Sequence, residues 1–110
     1  MQTSVLLEFS MFPTSSECRE GASVSEYVSR IISMIDESGV SYQLTPMGTI
    51  VETSTVKEAL SIIERAYDVL GDDCERVYSS LKFDIRKNKS GRLKGKLDSV
   101  EQKLGRKVNT

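Results

Sequence analysis

The chain of 110 residues has no histidine and no tryptophan, only two cysteines and two prolines, and no apolar run near the length of a membrane span. A span needs about 18–20 such residues, so none is expected. Without histidine there can be no Ser-His-Asp triad and no imidazole acid or base. Cys18 and Cys74 are also too few to close a Cys/His zinc site. They are far apart and form no C-x-x-C pair, which predicts two reduced thiols in a reducing compartment. The start, Met1-Gln2-Thr3, shows no basic n-region, and the expected location is the cytoplasm. No residue pair sets a tuned base beside a nucleophile, so the expectation is a protein that is not an enzyme, with no metal and no cofactor. The hydrophobic share of 38% and charged share of 28% fit an ordinary folded chain, read as one domain over residues 1–110.

The net charge of −1 conceals a strong asymmetry. Residues 1–85 hold 6 Lys/Arg and 14 Asp/Glu, whereas residues 86–110 hold 9 and 2. This basic C-terminal segment contains no aromatic residue on which a base could stack, so no nucleic-acid partner is expected. It suits a solvated face or docking on an acidic neighbouring subunit.

Periodicity supplies the elements. Residues 3–12 alternate, with Val5, Leu7, Phe9 and Met11 on one face and Leu6, Glu8, Ser10 and Phe12 on the other, and Pro13 ends the strand. Ser23-Val24-Ser25-Glu26 reads as a capping box that opens a helix carrying Tyr27, Val28, Ile31, Met34 and Ile35, with Gly39 at its left-handed C-terminal cap. Residues 40–45 and 49–53 form a hairpin around Pro46-Met47-Gly48. A second capping box, Thr55 to Glu58, starts a helix that Gly71 closes. Residues 76–86 alternate again, with Val77, Ser79, Leu81, Phe83 and Ile85 facing one way. Leu97, Val100 and Leu104 space a short terminal helix.

This order, β-α-β-β-α-β plus a helix, is the α+β ferredoxin-like sandwich: a four-stranded antiparallel sheet with two helices on one face. The second face would carry Leu6, Glu8, Ser10, Phe12, Tyr78, Ser80, Lys82 and Asp84. A mixed apolar and charged sheet face favours a protein partner or a small polar ligand. Self-association as a homodimer or homotetramer is therefore expected.

The run Ser38-Gly39-Val40-Ser41-Tyr42-Gln43-Leu44-Thr45-Pro46-Met47-Gly48-Thr49-Ile50-Val51-Glu52 follows Ser23-Val24-Ser25-Glu26-Tyr27-Val28. Further on come Arg76-Val77-Tyr78-Ser79-Ser80-Leu81-Lys82 and Lys96-Leu97-Asp98-Ser99-Val100-Glu101-Gln102-Lys103-Leu104. Together these resemble a family of small ferredoxin-like proteins described as thiamine-binding. Thr53 departs from the family's usual Gly, and Ser79-Ser80 from its commoner Thr-containing pair. The resemblance implies a non-enzymatic binder of thiamine or a thiamine-related pyrimidine; the alternative is a homo-oligomeric regulatory or assembly module with no small ligand.

Thiamine joins a flat aminopyrimidine to a cationic thiazolium, so a binder should offer an apolar or aromatic slot, hydroxyls for the pyrimidine edge and a carboxylate for the charge. The candidate ligand-binding residues are Ser10, Phe12, Ser25, Tyr42, Thr49 and Glu52. Glu52 is a ligand or interface carboxylate, or else a surface or helix-capping one. Thr49 and Glu52 stand three residues apart on one strand and so face opposite ways unless a bulge intervenes, which a subunit interface could reconcile. Ser25 sits in the first turn of its helix, and Phe12 and Tyr42 could stack on a flat ring or simply pack in the sheet.

Overall fold

The computed structural model describes residues 2–14, 25–70 and 74–109. The chain runs β1 (Thr3–Pro13), α1 (Ser25–Ser38), β2 (Ser41–Thr45), β3 (Gly48–Thr53), α2 (Val56–Asp68), β4 (Val77–Lys87) and α3 (Arg92–Leu104). The strands form one antiparallel sheet in the order β2-β3-β1-β4. This is the α+β ferredoxin-like architecture that the element order implies.

Strict alternation builds the core. Val5, Leu7, Phe9 and Met11 of β1 are buried on one face, where Leu7 lies between Val51 of β3 and Phe83 of β4. Ile31, Met34 and Ile35 of α1, with Ala59, Ile62 and Ala66 of α2, close over them. Each large side chain so buried contributes about 1.5–3 kcal/mol. Small residues on α2 let that helix approach β1 and β3 closely.

Local signals act where expected. Thr55 caps α2, its hydroxyl accepting from the Glu58 amide at 3.0 Å. Gly39 takes φ +77° after α1, a backbone conformation that favours glycine. The Ser23 half of the first capping box, and Gly71, lie outside the described residues. So does Cys18. Cys74 is buried and disulfide-bonded, which corrects the expectation of a reduced thiol there: separation along the chain does not report distance in the fold. Among the described residues no helix is long and apolar enough to cross a membrane.

The far face of the sheet carries the expected residues, with Lys82 of β4 3.6 Å from Glu8 of β1. It is not left wholly bare. The terminal helix begins at Arg92, earlier than its apolar spacing indicates, and its N-terminal end is tied to this face beside β1 and β3.

Candidate functional site

β1 outlasts its partner on one side. Its pairing with β3 ends near Phe9 and Thr49, whereas its pairing with β4 continues to Pro13 and Val77. Beyond that point the tip of the β2-β3 hairpin is no longer paired with β1, and α1 borders the opening. The gap between them is a cleft of about 1120 Å³. Its floor is Phe9, Met11 and Thr49; Val28, Ile31 and Ile32 of α1 form one wall, and Leu44, Pro46 and Met47 of the hairpin form the other. Met47 is 86% exposed at the rim and Leu44 53%.

The hairpin is held stiffly. The Thr45 hydroxyl donates to the Gly48 carbonyl at 2.8 Å and accepts from the amides of Met47 and Gly48 at 3.2 and 3.1 Å. Glycine at 48 answers to contact and not to backbone sign, because Gly48 is not among the positive-φ residues. A Cβ there would stand 2.9 Å from the Phe9 carbonyl oxygen. The hairpin can press against β1 only without that carbon.

Polar groups are few and placed around the apolar walls. Ser25, Ser29 and Ser33 recur every four residues along the side of α1 that borders the cleft. Asp36 is next in that direction, and its Oδ1 accepts from the Tyr42 hydroxyl at 2.6 Å. That hydrogen bond, with a little desolvation and the carboxylate charge, raises the Tyr42 pKa above its ordinary value. An acidic group therefore stands at one end of the cleft and a row of hydroxyls leads away from it.

Four of the six residues singled out in the sequence, Ser10, Phe12, Ser25 and Thr49, line this cleft. Phe12 is also paired with Tyr78, ring centroids 6.0 Å apart, so part of its ring surface is already used in the sheet. Tyr42 reaches the cleft through Asp36. Asp36 itself was not anticipated: on the polar side of an amphipathic helix it resembles any surface acid, and only the hairpin's position gives it a setting.

Glu52 lies elsewhere. It points to the opposite face of the sheet from Thr49, as the three-residue spacing requires. Its carboxylate accepts from the Ser4 hydroxyl and from the amides of Arg92 and Leu93, each amide at 3.0 Å. Glu52 therefore caps α3, whose own N-cap residue is Gly91 and offers no side chain. Of the alternatives open for this residue, the geometry is that of the helix cap. Burial pushes the Glu52 carboxyl up, but the bonds from Ser4, Arg92 and Leu93 and the Arg92 charge outweigh it and hold the pKa below the ordinary value. Arg92 completes the fastening. Its guanidinium donates to the Ser4 hydroxyl and carbonyl, each at 2.9 Å, and pairs with Asp84 at 3.0 Å. Thr53, the departure from the usual Gly, is buried at the other end of β3 and donates to the Thr55 carbonyl at 2.8 Å. It leads into α2 and leaves the cleft mouth untouched.

Among the described residues there is no group of three or more acidic or cysteine side chains that could hold a metal ion. A ferredoxin-like sheet with an apolar, hydroxyl-edged cleft between α1 and the hairpin defines a small α+β protein with room for a flat organic ligand. The chain belongs to the thiamine-binding protein family, whose model matches residues 7–101. It is 33% identical over 96 residues to a UPF0045 protein of Methanocaldococcus jannaschii, covering 87% of this chain and 91% of that one. The crystal structure of that archaeal protein covers 93% of this chain and 99% of its own, with a TM-score of 0.75. A Thermotoga maritima structure described as that of a candidate thiamine biosynthesis/salvage protein is 21% identical, covers 84% of this chain and 96% of its own, and shares the fold with a TM-score of 0.59.

Proposed function

We propose that the cleft between α1 and the β2-β3 hairpin binds thiamine or a thiamine-related pyrimidine without transforming it. The observation that carries this reading is the pairing of an apolar slot with one carboxylate, Asp36, in the same cleft as the hydroxyls of Ser25, Ser29 and Thr49. A flat cationic ligand needs just these three kinds of group: surface to cover its rings, hydroxyls for the pyrimidine edge, and a negative charge for the thiazolium. Tyr42 holds Asp36 in place by donating to one carboxylate oxygen. Family membership supports the same ligand class. Glu52 has no part in it, being committed to α3 on the other face.

Calorimetry with thiamine, its phosphate esters and the hydroxymethylpyrimidine precursor tests the reading. Asp36→Asn weakens thiamine about tenfold, the low end for a charge-assisted hydrogen bond because Asp36 is exposed to water. The uncharged pyrimidine loses little. No heat and no thermal shift with any of these ligands would refute the proposal and favour the assembly module instead. Equal binding of thiamine by wild type and Asp36→Asn would move the cation site away from this cleft.

A further inference from the structure

β1 is a central strand for part of its length and an open edge for the rest. The direction of its main-chain groups follows from two hydrogen bonds at the ends of its ladder with β4. The Thr14 amide donates to the Arg76 carbonyl at 2.8 Å, and the Asn88 amide donates to the Gln2 carbonyl at 2.6 Å. Register with β4 is unbroken from Thr3 to Pro13, so even-numbered residues of β1 bond to β4 and odd-numbered ones turn N–H and C=O the other way. There Val5, Leu7 and Phe9 meet Thr53, Val51 and Thr49 of β3. Met11 is next in line. The same register carried two residues further would oppose it to Met47, but Met47 stands in the turn and gives its amide to the Thr45 hydroxyl at 3.2 Å. Among the described residues none hydrogen-bonds to the Met11 N–H or C=O, although Met11 is only 6% exposed. Buried main-chain groups are nearly always paired, so an unmade pair on the cleft floor calls for a partner.

Two features define that partner. Pro13, the next odd-numbered residue, has no N–H, so an added peptide strand would find one donor and then none. The opening is also bordered on both faces of the sheet: Phe9, Ser10 and Met47 line the cleft, and with Glu8 and Lys82 they line a hollow of about 160 Å³. A flat group can therefore lie edge-on to β1 in the gap that β3 leaves. We infer that the Met11 N–H and C=O read the edge of a flat heterocycle in which an acceptor nitrogen stands beside an exocyclic amine, the N–H donating to the ring nitrogen and the C=O accepting from the amine. The aminopyrimidine of thiamine carries that pair, so the assignment rests on the thiamine-class reading of the cleft and names the group that gives it specificity. The hydroxyls of Ser25, Ser29 and Thr49 are left to the second ring nitrogen, and Asp36 to the thiazolium. A hydroxyl rotates to donate or to accept, whereas the N–H and C=O of a strand are fixed in place. A main-chain reader is therefore strict about which ligand atom donates.

Oxythiamine tests this strictness. A carbonyl replaces its amine and the adjacent ring nitrogen carries a proton, so donor and acceptor exchange places on that edge. Calorimetry should find it at least about tenfold weaker than thiamine, because the thiazolium holds the ring's orientation and each main-chain group then meets its like. Labelling the methionines of the full chain with ¹⁵N reads the site directly, since Met11, Met34 and Met47 each supply one amide signal. With thiamine or the free hydroxymethylpyrimidine bound, the Met11 amide proton should move downfield and exchange at least about tenfold more slowly, while that of Met34, inside α1, keeps its rate. Thiamine that binds with the Met11 amide unmoved overturns the inference and leaves the cleft reading standing. So does oxythiamine that binds as tightly as thiamine. No heat from thiamine or the pyrimidine overturns the cleft reading itself, and the role of Met11 with it.

Discussion

Replacing Glu52 by glutamine separates the helix-cap role from a ligand role. The carboxylate accepts three hydrogen bonds, from the Ser4 hydroxyl and the first two amides of α3. An amide side chain keeps the shape but offers one acceptor oxygen, and its NH2 must then face a donor. Losing the cap costs about 1 kcal/mol. The Ser4 hydroxyl, on a residue only 1% exposed, loses its acceptor for about 1 kcal/mol more. The sum of about 2 kcal/mol lowers the melting temperature by about 8 °C in a chain of this size. Thermal unfolding followed by circular dichroism reads the total, and hydrogen exchange locates it. Amides of Arg92 and Leu93 should lose protection first, while those of β1 and β3 keep theirs. Ligand affinity in the cleft should not move, since Glu52 lies on the opposite sheet face. A variant that melts with wild type, or one that loses ligand while α3 stays protected, would refute the placement of Glu52 as a cap.

The same residue sets a pH dependence. Its folded pKa lies below the ordinary value, so its stabilisation is present above the usual glutamate range and is lost as pH falls through the folded value. The gap in melting temperature between wild type and Glu52→Gln should therefore close as pH is lowered below that range; a constant gap would contradict it. Gly48→Ala should cost about 1–3 kcal/mol by overpacking, because its Cβ meets backbone and not a flexible side chain, and denaturant titration measures this. In an ultraviolet titration Tyr42 should ionise above the ordinary range, and Asp36→Asn should bring it down. Leu7→Ala, at a fully buried position between Val51 and Phe83, should cost about 2–5 kcal/mol in the same denaturant assay.

The architecture was legible because its signals are local: alternation in β1 and β4, the Thr55 cap, the glycine after α1, the Pro46-Met47 turn. Even the opposed faces of Thr49 and Glu52 follow from counting residues along a strand. The use of Glu52 did not, because its partners arrive 40 positions later, at Arg92 and Leu93. One clue was present. α3 starts after Ser90-Gly91, where the N-cap residue has no side chain, so an acceptor had to come from elsewhere in the fold. Asp36 was illegible for a different reason: its value comes from Tyr42 and from the hairpin, and no periodic pattern distinguishes it from Glu37 beside it.

Strand β3 also imposes a rule of parity on the chain. Thr49, Val51 and Thr53 serve the side of the sheet that holds the cleft and core, and Ile50 and Glu52 serve the side that receives α3. Inserting one residue after Thr49 would exchange the two sets, swinging the helix-fastening acid into the core and a core valine toward Arg92. Inserting two would restore the phase at the cost of a longer strand. Length changes between the hairpin and Glu52 should therefore be tolerated in even numbers before odd ones, so that the cleft and the fastening of the terminal helix are bound to a common count.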